Sequence, residues 1–105
     1  MTLPILRYFP PNRTHKATAN TSTTTVIGPI PSTVEQVRAY ATAACLFALG
    51  DSDVAVTTSA SPVGAVLPGG QFVDIPMPRD ARYIGLRSES GSPVVYVSEL
   101  GRPAV

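Results

Sequence analysis

Residues 71–100 read QFVDIPMPRDARYIGLRSESGSPVVYVSEL, and three short apolar runs within this stretch decide the fold. The runs are QFVDI at 71–75, ARYIGLR at 81–87 and VVYVSEL at 94–100, and each contains β-branched or aromatic residues. Proline- and glycine-containing segments, PMPRD and SESGSP, separate them. Turn signals about every ten residues between short apolar runs are typical of a β-sandwich or barrel.

Three more apolar runs upstream of this stretch predict three more strands. Glycine and aspartate end one of them at Gly50-Asp51. Residues 59–70 (SASPVGAVLPGG) predict a loop, in which Pro68-Gly69-Gly70 provides a turn. The upstream strands are predicted at residues 35–40 (EQVRAY), 45–49 (CLFAL) and 54–58 (VAVTT).

A helix over residues 33–49 is the alternative to the first two of these strands. Ser32 and Glu35 have the spacing of a capping box, and the alanines of this segment favour a helix. The alternation of Val37 with Arg38 and Tyr40, and the strands that follow, favour two strands instead. Both readings stay open at the level of sequence.

The fold class predicted from these patterns is all-β, a small β-sandwich or jelly-roll-like domain with an extended N-terminal arm. The domain covers residues 32–105 and the arm residues 1–31. Pro10-Pro11 interrupts any regular element in the arm, because proline donates no backbone hydrogen bond. Residues 12–25 are polar and rich in threonine, without clear helical or strand periodicity.

The arm begins with five apolar side chains, and burying each of them would contribute roughly 1.5–3 kcal/mol. The segment either folds back as an edge strand of its own domain or docks on a neighbouring subunit. We expect it to make protein–protein contacts. The predicted interface residues are Leu3, Ile5, Leu6, Tyr8 and Phe9.

Composition limits the partners and the cellular setting. The chain has 105 residues, enough for one domain, with 14% charged residues and a formal net charge of +1. So little net charge excludes strong electrostatic attraction to nucleic acid or to an anionic membrane, and we expect neither as a partner. One cysteine excludes an internal disulfide, and the absence of a signal-like start predicts a soluble product made in a reducing compartment.

Few residues could carry enzymatic chemistry. Catalysis usually uses histidine, cysteine or paired carboxylates, and the chain has one histidine, His15, and one cysteine, Cys45. Ser59 and Ser61 lack the G-x-S-x-G setting of a nucleophile. We expect no enzyme, no catalytic residue, no cofactor and no small-molecule substrate, with His15 exposed in the arm and Cys45 buried as a small hydrophobe.

Two loops resemble ion-binding motifs only superficially. Asp51 and Asp53 are spaced like calcium ligands, but no distal glutamate completes a calcium loop, so they predict a turn held by aspartate side chains. Residues 67–70 (LPGG) are followed by Gln71-Phe72 instead of the GK[ST] of a phosphate-binding loop. This segment predicts a hairpin loop whose glycines supply positive φ, and no metal site is expected.

Arginines and tyrosines on the predicted strands are candidate contact residues. Arg79, Arg82 and Arg87 could form a basic face, but nearby acidic residues balance them, which favours solvated or intersubunit ion pairs. The tyrosines are equally suited to a protein interface and to the edge of a sandwich core, since a tyrosine joins apolar area to a hydroxyl group. They are Tyr40, Tyr83 and Tyr96.

Four segments follow one another over residues 37–101: VRAY, CLFALGDSDVAVTT, PVGAVLPGGQFVDIPMP and ARYIGLRSESGSPVVYVSELG. This order of strands and turns resembles small virion structural proteins of tailed bacteriophages. The resemblance implies a capsid decoration or cement protein, located on the capsid surface of a virion assembled in the host cytoplasm. Its implied partners are the major capsid protein and copies of itself, as a dimer or trimer.

Two alternatives within the virion remain, a head–tail connector and a tail or fibre component that binds a receptor. A receptor-binding module would be expected to expose aromatic residues in its loops. The predicted loops at residues 59–70 and 88–93 contain none.

Overall fold

Eight short strands form two antiparallel sheets in the structure, a computed structural model that describes residues 13–58 and 64–100. The predicted all-β sandwich is therefore confirmed. The strands are β1 (Arg13–Thr18), β2 (Thr25–Ile27), β3 (Gln36–Ala41), β4 (Cys45–Gly50), β5 (Ala65–Leu67), β6 (Phe72–Pro76), β7 (Tyr83–Arg87) and β8 (Val94–Glu99).

The two sheets contain four strands each. The first sheet has the order β1-β8-β3-β6 and the second the order β2-β7-β4-β5, with antiparallel pairing throughout. Among the described strands only β4 and β5 follow each other within one sheet, and every other connection crosses between the sheets. The strand order also fits a jelly roll, in which eight strands divide between two packed sheets.

Alternation along β3 and β8 builds the first sheet's side of the core between the sheets. In β3, Val37, Ala39 and Ala41 are buried while the intervening residues are only half-buried. Val95 and Val97 of β8 are fully buried on the same inner face. The second sheet contributes larger side chains to this core, among them Ile27, Cys45, Leu67, Ile84 and Leu86.

The helix considered for residues 33–49 does not form, because this segment provides strands β3 and β4. Strand β3 pairs with both β6 and β8 and occupies the interior of its sheet. Its buried alanines, Ala39 and Ala41, lie on the inner face of the first sheet, which packs against the second sheet. Small side chains there suit close packing in a strand, so the alanine content does not indicate a helix.

The structure corrects the boundary of the predicted arm, because residues 13–31 belong to the sandwich. Strand β1 pairs with β8 from Arg13 to Thr18, and β2 pairs with β7. Sequence periodicity is weak here because β1 is an edge strand in which only His15 and Ala17 are half-buried. Polar residues fill its other positions. The predicted interface residues from Leu3 to Phe9 lie outside the described residues.

Residues 54–58 (VAVTT) do not form the predicted strand but cross the outer face of the second sheet. Val54 lies against Gly50 and Gly85, and Val56 is fully buried. The Val56 backbone amide donates a 3.0 Å hydrogen bond to the Thr24 hydroxyl. The β-branched side chains therefore cover a sheet instead of extending it.

The predicted loop at residues 59–70 contains strand β5, which is only three residues long. The turn after it leads from β5 in the second sheet to β6 in the first, so it is not the predicted hairpin. Gly70 does supply the expected positive φ, at 74°. Gly69 has a different role, because its backbone packs closely against Ala43.

Candidate interaction surface

The outer faces of the two sheets differ in what covers them. On the second sheet, residues 54–58 cover Gly50 and Gly85, and Leu46 beneath them is buried although it points away from the core. On the first sheet, Phe72 is 71% exposed and Tyr96 is 36% exposed. Residues 54–58 thus cover the middle strands of the second sheet, whose edge residues Val26 and Val66 stay exposed, and the outer face of the first sheet presents Phe72 and Tyr96 to the surroundings.

The strand register of the first sheet places four outward-pointing residues in a single row across the sheet. Lys16 lies opposite Tyr96, Tyr96 opposite Tyr40, and Tyr40 opposite Phe72, so that each strand contributes one residue. We call Tyr96, Tyr40 and Phe72 the aromatic row. The Tyr40 and Phe72 ring centroids are 5.0 Å apart, and the Lys16 Nζ lies 5.7 Å from the Tyr96 ring centroid.

A polar row lies directly beside the aromatic row. Arg38 and Asp74 face each other across β3 and β6, with Nε to Oδ1 at 2.7 Å and Nη2 to Oδ2 at 3.1 Å. This bidentate contact raises the pKa of Arg38, because hydrogen bonding to Asp74 favours the charged guanidinium. Farther along the row, the hydroxyls of Thr14 and Ser98 are 3.0 Å apart.

A surface pocket of about 300 Å³ opens where the two rows meet, lined by Arg38, Phe72 and Asp74. Its apolar wall is the exposed Phe72 ring. Its polar wall is an ion pair whose two partners already satisfy each other. An arrangement of this kind can bind by burying aromatic area, without leaving an unpaired charge behind.

His15 and Glu99 form a second side-chain contact between polar residues, on the inner side of β1 and β8. The His15 Nε2 lies 2.7 Å from the Glu99 Oε2, and the Glu99 side chain is only 5% exposed. The exposed histidine predicted for the arm is therefore wrong, because β1 turns His15 inward. Within residues 13–58 and 64–100, no group of three or more His, Cys, Asp or Glu side chains could hold a metal ion.

Two of the three predicted candidate arginines bind backbone carbonyl groups within the chain. Arg82 donates to backbone carbonyl groups in two loops, at residues 28–34 and 77–78. Arg87 donates to the backbone carbonyl groups of Thr21 and Val56. These two arginines are held by backbone carbonyl groups, whereas Arg79 is exposed. Ion pairs of these arginines between subunits stay a prediction. The carbonyl partners of Arg82 belong to Ile30, Pro31, Val34, Met77 and Pro78.

The predictions for Cys45 and for the aspartate turn are confirmed. Cys45 is 3% exposed, and burial raises the pKa of its thiol. The Asp51 Oδ1 accepts a 2.9 Å hydrogen bond from the Asp53 backbone amide. These residues stabilise the fold locally and do not form part of the interaction surface.

The tyrosines divide between two environments, and Phe72, which extends the row formed by two of them, was not identified from the sequence. Tyr40 and Tyr96 belong to the aromatic row, while the Tyr83 ring packs close to Gly28. Alternation along β6 places Phe72 on the opposite face from Val73 and Ile75, where it is exposed. The available signal was an apolar aromatic side chain at an outward position of a predicted strand.

Comparisons with known proteins add no relative to this description. No protein-family model matches the chain, and neither a curated protein nor a solved structure matches it. Among the described residues there is no helix of the length and apolarity that crossing a membrane requires.

Proposed function

We propose that this chain is a non-enzymatic structural protein of a tailed-phage virion, which decorates or cements the capsid. Its partners would be the major capsid protein and neighbouring copies of itself. The observation that carries the proposal is the difference between the outer faces of the two sheets: residues 54–58 cover the middle strands of one, and the other displays the aromatic row. A small sandwich that exposes an aromatic row on one face is suited to a subunit whose function is to bind other proteins.

The size of the contact explains why such a protein would act in many copies. Burying a phenylalanine side chain such as Phe72 contributes roughly 1.5–3 kcal/mol, whereas a Kd of 1 mM already requires about 4.1 kcal/mol. We therefore expect the aromatic row of a single copy to bind its partner weakly. On a lattice, neighbouring contacts raise the effective concentration, and binding only the assembled shell stabilises it by mass action.

The low charge of the chain supports the same function. Charged residues make up 14% of the sequence, and the two charged residues beside the aromatic row, Arg38 and Asp74, already pair with each other. When such a surface meets another protein, few charges lose their contact with water, and neither of the two beside the row is left without a partner. The resemblance of residues 37–101 to phage virion proteins supplies the biological setting of the proposal.

The decisive experiment counts copies of this chain in virions purified from cells that produce it. Quantitative mass spectrometry would compare its amount with that of the major shell protein. We expect a ratio near one or a simple fraction of one, because a decoration protein covers the whole shell. Absence from the particle would remove the virion function altogether.

A receptor-binding component of a tail or fibre is the second candidate, and the exposed aromatic row favours it. The aromatic cluster expected for such a module lies on a sheet instead of in loops. This candidate predicts only a handful to a few dozen copies per virion and direct binding of the purified chain to host cells. A head–tail connector would give similarly few copies, but it would form rings in solution.

A further inference from the structure

We propose that the aromatic row receives residues 3–9 (LPILRYF), the apolar N-terminal segment, of a second copy of this chain. This inference deepens the proposed function, since it names the surface through which neighbouring copies contact each other. It concerns the isolated protein as well as the particle.

The aromatic row is the contiguous apolar patch of the described surface. The exposed large hydrophobic residues of that surface are Val26, Val66, Phe72 and Tyr96. Val26 and Val66 stand on β2 and β5, at opposite edges of the second sheet, and Val54 lies over Gly85 between them, so they do not form one patch. Phe72 and Tyr96 lie in one row with Tyr40 between them.

The place where the described chain begins supports this occupant. Arg13 starts β1, the edge strand of the same sheet that carries the aromatic row. Twelve residues precede it, and fully extended they span about 40 Å. The aromatic row crosses two strand spacings, about 10 Å. A segment leaving one copy can therefore lie across the row of an adjacent copy.

Pro10-Pro11 favours a neighbouring copy over the segment's own sheet. Proline fixes its own φ and holds the preceding residue in an extended conformation. A segment that returned to its own aromatic row would have to reverse direction at this point. In an exchange between two copies, each copy supplies one segment and one row, so a two-fold dimer satisfies both.

The test uses the absence of tryptophan from the chain, because a Phe72→Trp substitution introduces the sole indole. The acceptor is a full-length chain carrying Phe72→Trp together with Leu3→Ser, Ile5→Ser and Leu6→Ser, which weaken its own segment. Adding an excess of the native chain should move the tryptophan emission to shorter wavelength, because the incoming segment covers the indole. Adding a chain with the three serine substitutions and native Phe72 should leave the emission unchanged.

A matched control carries Val66→Trp in place of Phe72→Trp, since Val66 is 67% exposed and Phe72 is 71% exposed. Its emission should not respond to the native chain. An equal response of both acceptors, or no response of either, would overturn the proposed docking. Circular dichroism melts of both acceptors establish that they are folded.

A dilution series separates exchange between copies from docking within one copy. In a chain with Phe72→Trp and a native segment, the emission should move to longer wavelength on dilution as dimers dissociate. Short-wavelength emission that persists at every concentration would place the segment on its own sheet and overturn the exchange. The copy number in the virion is measured separately, so failure here would leave the proposed function standing.

Discussion

Phe72 of the edge strand β6 lies beside Tyr40 of β3 on the outer face of the first sheet, with their ring centroids 5.0 Å apart and their planes inclined by 46°. Yet Phe72 is 71% exposed, so the contact with Tyr40 covers only a small part of its ring. Folding alone gives this phenylalanine little burial. The geometry therefore predicts that Phe72 serves binding more than stability.

Replacing Phe72 with serine should leave the fold nearly unchanged and weaken binding to particles. The lost contact with Tyr40 costs at most about 0.5–1.5 kcal/mol of unfolding free energy, the range for an aromatic pair. Urea denaturation measures this change, and co-sedimentation with particles that lack the native chain measures binding. Val66→Ser is the control of matched exposure and should bind normally. Equal losses for both variants would argue against a special role of the aromatic row.

Much of the first sheet was predictable from single residues, because the alternation of Val37 and Ala39 with Arg38 and Tyr40 fixes which face of β3 enters the core. The same argument gives the outward direction of Phe72. The aromatic row itself was not predictable. It depends on the register by which β6 and β8 pair with β3, and hydrophobic alternation does not specify that register across long connections.

The wrong predictions for β1 and for residues 54–58 share a physical cause. Strand β1 lies at a sheet edge, where few side chains are buried, so its sequence RTHKAT shows little apolar alternation. Residues 54–58 have the opposite property, since their β-branched side chains imitate a strand while they pack on a sheet face above Gly85. In both cases tertiary position decided the structure, and local sequence did not reveal it.

Replacing Arg82 with lysine should destabilise the sandwich by about 2–4 kcal/mol, because hydrogen bonds from charged groups contribute roughly 1.5–3 kcal/mol each. The guanidinium donates to five carbonyl groups in the loops at residues 28–34 and 77–78. A lysine ammonium has three donors and cannot satisfy all five. Urea denaturation gives the change in unfolding free energy. Arg79→Lys is the control at an exposed position and should change it by less than about 0.5 kcal/mol.

The two glycines before β6 should respond differently to substitution. A Cβ atom at Gly69 would lie 2.6 Å from the Ala43 Cα, and backbone cannot move aside easily, so Gly69→Ala should cost about 3 kcal/mol. At Gly70 the space is open and only the φ of 74° matters. Asparagine tolerates this conformation, so Gly70→Asn should cost about 1 kcal/mol or less. Thermal melts of the two variants compare them. A larger loss for Gly70→Asn would contradict the close packing at Gly69.

The buried Cys45 thiol should make stability fall at alkaline pH. Burial raises its pKa in the folded state, so the folded chain retains a proton that the unfolded chain releases near pH 8.5. The contribution is therefore fully present below about pH 8.5 and is lost as the pH rises toward the folded pKa, with a slope of at most about 1.4 kcal/mol per pH unit. Urea denaturation between pH 7.5 and about 9.5, below the range where tyrosine and lysine titrate, measures this loss of stability.

The control variant is Cys45→Ala. It should be less stable than the native chain at pH 7.5, because it leaves space beside Leu67, but its stability should no longer show this part of the pH dependence. If the slope of unfolding free energy against pH is unchanged in Cys45→Ala, other groups cause the alkaline loss of stability. Rapid reaction of the native thiol with a disulfide reagent at pH 7.5 would contradict the burial of Cys45.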